Sequence, residues 1–172
     1  MDIYHILDNT SHMSQLQNEP YCGNAIEVLP GLWLGDIKSS MNSVFLNEKQ
    51  IKCIINCTDC HPFIDDASIE AKYRLSIKNN NDIDEIEKFY HLLDEVVDLI
   101  KTNICSYNIL VHCYAGKQIS AAVVVAYLIK YGKMEAKSAI NAIQSKKPDV
   151  LDDSYNYDVV LQVYEKSLLH KE

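Results

Sequence analysis

The chain has 172 residues but a single arginine, Arg74, against fifteen lysines. Any site elsewhere that needs a guanidinium fork has no second arginine to recruit. A basic surplus is missing as well. The formal net charge is −8, which argues against a nucleic-acid backbone as the main partner. It leaves a local anion site open, because the nearby field counts for more than the sum. No apolar run reaches the roughly 18 residues of a membrane span, so no membrane partner is expected. The opening Met-Asp-Ile-Tyr-His-Ile-Leu-Asp lacks the basic start and long apolar core of a secretory signal. Six cysteines are too few for a disulfide scaffold, and several lie in apolar runs, which points to a reducing compartment. Cys57 and Cys60 have the two-residue spacing of a metal or redox pair. A second ligand pair is absent, so they read as thiols at a strand end, and neither metal nor cofactor is expected. Only five glycines, beside many Asn, Ile and Lys, are what an AT-rich coding sequence tends to give and select no compartment.

What is present fits one soluble domain: 48% of residues are apolar, and the length allows a substantial core. Residues 1–24 are mixed, with Ile3, Ile6 and Leu7 at helical spacing, so they read as an arm, either a short helix or disordered. The domain proper is expected over 25–170. Residues 26–35 suggest two strand pieces around the Pro30-Gly31 turn, and 39–50 a helix. The run 51–57 reads as a buried parallel strand, and 73–77 as a short alternating one. From 84 to 101, Ile86, Phe89, Leu93, Val96, Val97 and Ile100 recur at helical spacing, with Asp82 or Asp84 as N-cap. Helices are expected over 119–131, stopped by Gly132, over 134–145, ended before Pro148, and from 154 onward. Strands alternating with helices imply an α/β fold of three layers, with a central, mostly parallel twisted sheet covered on both faces.

One stretch carries chemistry. The apolar run 108–111 reads as a buried strand. It ends at His112-Cys113, turns through Gly116, and opens a helix at Ile119. A strand, a short loop and a helix N-terminus gather unpaired N–H groups and the positive end of a helix dipole, which favours an anion. A cysteine at the base of such a site is a nucleophile candidate.

The stretch H-C-Y-A-G-K-Q-I-S, residues 112–120, resembles the phosphate-binding loop of dual-specificity phosphatases, within the cysteine-dependent phosphatases, where a common form is H-C-x-A-G-x-x-R-S. Residues 26–35 also resemble the I-x-x-L-x-x-L-x-L-G opening of those domains, and the order of elements agrees over about 26–168. The resemblance implies that Cys113 holds the nucleophile position and His112 supports it. Tyr114, Ala115, Gly116, Lys117, Gln118 and Ile119 then form the phosphate cradle, and Ser120 supplies the hydroxyl that helps the thiolate leave. It also places Ile119 where the family has arginine. The family's general acid falls at Asn79, or at Asn80 if the loop gains a residue.

Ile119 offers neither charge nor donors, whereas the missing fork makes two parallel charge-assisted bonds. An amide at 79 has no proton to give at a useful pKa. Lys117 as a point charge, and Asp82 or Asp84 as a substitute acid, are the possible compensations. The combination resembles a pseudophosphatase: an inactive or strongly impaired domain that acts by binding a protein or phosphoprotein, in the cytoplasm or nucleus. The alternative is an active protein phosphatase working through a phosphocysteine at Cys113. An RNA 5′-phosphatase fits the acidic total less well. A third reading is an interaction domain indifferent to phosphate, with Ile119 presenting an apolar patch near Tyr114 at the old site mouth.

Overall fold

The computed structural model describes residues 23–170. The expected arm therefore lies, but for its last two residues, outside the described part. Five strands form one sheet: β1 (Ile26–Leu29), β2 (Leu32–Gly35), β3 (Ile51–Asn56), β4 (Ala71–Arg74) and β5 (Asn108–His112). Their order is β1-β2-β5-β3-β4. β1 and β2 are an antiparallel hairpin, and every other neighbouring pair is parallel. Gly31 makes the hairpin turn at φ +81, a conformation glycine adopts without steric cost.

Among the described residues six helices cover the sheet: α1 (Ile37–Ser40), α2 (Ser43–Glu48), α3 (Ile83–Asn103), α4 (Ile119–Lys130), α5 (Ala136–Lys146) and α6 (Tyr157–Leu169). Two cores result. Met41, Phe45 and Leu46 pack with Ile51, Ile54 and Leu110 beneath α1 and α2. The larger core joins α3 to α6 with Leu32, Leu34, Cys53, Ile55, Ile109 and Val111 on the other side of the strands. This is the three-layer arrangement that strand–helix alternation implies.

Helix α4 is the axis of the larger core, since every residue from Ile119 to Ile129 is buried. A helix apolar all round has no solvent face to lose. Each fully buried Val, Leu or Ile contributes about 1.5–3 kcal/mol, so the helix is held by packing rather than by caps.

Several boundaries differ from the sequence reading. The helix expected over 39–50 is two short ones, because the Asn42 side chain accepts from Phe45 N and starts a fresh helix. The fourth strand ends at Arg74 instead of 77, and Leu75 and Ile77 bury their side chains outside the ladder. The last two helices begin at Ala136 and Tyr157, each two or three residues later than hydrophobic spacing alone suggests, a usual blur at helix ends.

Candidate active site

β5 sits between β2 and β3, so its C-terminal end opens at the middle of the sheet edge, where α/β folds place ligands. The loop after His112 curls back and enters α4. Gly116 makes the sharpest part of the curl at φ +67, and a Cβ there would lie 2.6 Å from the Gly35 carbonyl oxygen. Only glycine permits this approach. The start of α1 and the loop before α6 brace the curl from outside. Ile37 N donates to the Tyr114 carbonyl at 3.2 Å, and Leu151 N donates to the Lys117 carbonyl at 2.9 Å. The first amides of α4 have no partner within the helix and are left for whatever the loop encloses.

Cys113 lies at the base of this loop, buried, with Sγ 3.0 Å from the Ser120 Oγ. Its neighbour His112 is buried against the His61 ring, 6.5 Å between centroids. Burial, then the charges of His61 and Arg74, push the His112 pKa down to about 3. The imidazole is neutral at ordinary pH and lends the cradle no positive charge.

The groups expected to compensate for arginine point elsewhere. Ile119 is buried in the main core while lining the cleft above Cys113. The apolar patch expected from it at the mouth is therefore not formed: exposed Tyr114 stands at the rim, and Ile119 belongs to the packed interior. Lys117 pairs with Asp149, Nζ to Oδ2 3.0 Å. Arg74 donates to the Thr58 carbonyl at 2.9 Å and to the His61 carbonyl at 2.7 Å, and lies over the Phe63 ring at 5.0 Å. It fastens a loop and does not serve an anion.

Asn79 lies on the cleft wall with Cys113, its Oδ1 accepting from the Tyr157 hydroxyl at 3.4 Å. Asp82 caps α3 by accepting from Asp84 N. Neither Asp82 nor Asp84 lines the cleft. Tyr114, Ala115, Lys117, Gln118 and Ile119 line it with Cys113, and Gly116 forms the turn beneath them. Geometry thus brings together every residue singled out from the loop, along with Asn79.

The profile described as "Dual specificity phosphatase, catalytic domain" matches residues 32–167. The chain belongs to the dual-specificity phosphatase family. Similar family members include the MAP kinase phosphatase with leucine-rich repeats protein 3 of Dictyostelium discoideum, 32% identical over 143 residues. The alignment covers 83% of this chain and 16% of that protein. Human dual specificity protein phosphatase 6 is 29% identical, with 83% of this chain and 37% of that protein covered. The chain thus spans well under half the length of these relatives. Among solved structures, human DUSP28 superposes with a TM-score of 0.75 at 20% identity, covering 88% of this chain and 97% of that one, a likeness of fold. The human tyrosine phosphatase-like serine/threonine/tyrosine-interacting protein superposes with a TM-score of 0.71 at 26% identity, covering 84% and 97%.

The dual-specificity phosphatase fold brings one group to the site that sequence reasoning passed over. Asp59, with Cys57 and Thr58, forms part of the cleft wall. The Cys57–Cys60 spacing drew notice to the thiols. Among the described residues no cluster of three or more metal-ligating side chains exists, and Cys57 is a buried thiol whose pKa burial raises. The usable signal was topological. β3 and β5 are parallel neighbours with Asn56 opposite His112, so the residues after each strand must meet at the same edge.

Proposed function

We propose that this dual-specificity phosphatase domain is catalytically silenced or severely impaired, and acts by binding a protein through its retained cradle. The observation that carries this reading is Ile119, a buried aliphatic side chain at the arginine position above Cys113. Two charge-assisted bonds at about 1.5–3 kcal/mol each are missing from the transition state. At about 1.4 kcal/mol per factor of ten, their loss lowers turnover by several powers of ten. Asn79 at the acid position supports the same reading from a second step of the reaction. Cys113 holds the nucleophile position, Ser120 the hydroxyl position, and residues 114–119 the phosphate-binding loop. A solved relative described as phosphatase-like and interacting is consistent with a binding role. The free cysteines, Cys53, Cys57, Cys60, Cys105 and Cys113 among the described residues, support a reducing compartment, cytoplasm or nucleus.

The 3.0 Å contact between Cys113 and Ser120 favours a second reading, an active phosphatase that forms a phosphocysteine. Purified protein assayed with p-nitrophenyl phosphate, beside Cys113→Ser, separates the two. Silencing predicts turnover at the level of the Cys113→Ser control. Turnover at rates ordinary for the family, abolished by that substitution, overturns it.

A further inference from the structure

The cleft above Cys113 holds one carboxylate, Asp59. It is exposed and makes no hydrogen bond or ion pair among the described residues. Two further carboxylates pair with cleft-lining side chains: Asp149 takes up Lys117 at 3.0 Å, and Asp152 accepts from Gln118 Nε2 at 2.9 Å. That bond fixes the orientation of the Gln118 amide, because a carboxylate requires the N–H side. Gln118 is 5% exposed, and its Oε1 is left without a partner. The cradle's neighbours are therefore acceptors in excess of donors: Lys117 shares Asp149 with Lys147, whose Nζ lies 3.8 Å from the other carboxylate oxygen, and Arg74 is held by loop carbonyls.

Backbone amides still favour an oxyanion in the loop. A phosphate ester arriving alone gains those amides but meets the fields of Asp59 and Asp152 with no guanidinium between them. One that arrives with its own cation does not. Building on the binding reading above, we infer that the cleft selects a phosphorylated residue flanked by lysine or arginine in the partner protein. The basic side chain pairs with Asp59 and supplies, from the partner, the positive charge absent at Ile119. The net charge of −8 works in the same direction, steering basic segments toward the domain and acidic ones away.

The test is fluorescence anisotropy at low salt with short labelled peptides centred on phosphotyrosine and flanked by lysine, alanine or glutamate. An unphosphorylated lysine-flanked peptide serves as the control. Native protein, Asp59→Asn and Ile119→Arg are compared. Lysine flanks are expected to bind about fivefold tighter than glutamate flanks, the upper range for one exposed ion pair. The margin should shrink with added salt. Asp59→Asn, an exposed change that leaves the core alone, should reduce it to about twofold or less. Equal binding of the three phosphopeptides, an undiminished margin in Asp59→Asn, or equally tight binding of the unphosphorylated control each overturns the inference while leaving a binding role in place. No phosphopeptide binding by either native protein or Ile119→Arg overturns phosphate recognition and the inference together.

Discussion

Within the cradle, two residues decide opposite things. Gly116 keeps the loop closed, since its φ of +67 and its contact with the Gly35 carbonyl leave no room for a Cβ. Gly116→Ala should cost about 1–3 kcal/mol in urea unfolding. It should also displace the amides that face Cys113. A wild-type unfolding midpoint in this variant would contradict the geometry given for the loop. Ile119 fills the arginine position without closing it: the side chain packs into the core yet still borders the cleft. Both residues were legible in the sequence, Gly116 as the turn and Ile119 as the departure from the family's pattern. Asp59 was not, because nothing in its own neighbourhood marks it; only the pairing of β3 with β5 brings it over the cradle.

At the level of elements, the loop after β3 is held by Arg74. Its guanidinium donates to two carbonyls, and the Asn56 and Thr58 side chains bond within the same loop at 2.7 Å. Arg74→Met removes both charged donors while keeping much of the apolar bulk over Phe63. The side chain is partly exposed, so the expected loss is about 1–2 kcal/mol. Amide exchange across 58–63 should speed up while α4 stays protected. Unchanged exchange in that loop would mean that the arginine is not its fastening. Helix positions were largely readable from apolar spacing. The split at Asn42 was not, since a local side-chain cap outweighed a continuous pattern. The early end of β4 escaped for a related reason: Leu75 and Ile77 alternate as in a strand but are buried under tertiary packing.

For the molecule as a whole, the three-layer, mostly parallel arrangement follows from the alternation of strands with helices, which is why the architecture could be read before the structure. Charge burial could not be. His112 is neutral in the fold, with its pKa pushed down to about 3 by burial and then by His61 and Arg74, against an ordinary value of 6.5. The unfolded chain therefore binds a proton that the folded chain refuses. Its contribution to stability is whole above pH 6.5 and is lost as pH falls toward 3. Between pH 7 and pH 4.5 this should remove on the order of 2 kcal/mol. Urea midpoints at the two pH values should converge more in His112→Asn than in the native protein. Equal pH dependence in both would place the acid sensitivity elsewhere.

The central claim is that the missing guanidinium silences the domain. Its most direct test is the rate of p-nitrophenyl phosphate turnover in Ile119→Arg, alone and with Asn79→Asp, beside the native protein, with thermal unfolding confirming that each variant is folded. Restoring the fork should raise turnover by at least about two powers of ten, since two charge-assisted bonds are regained. The added acid should raise it further and introduce dependence on a protonated carboxyl. Folded variants that turn over no faster than the native protein would contradict the account.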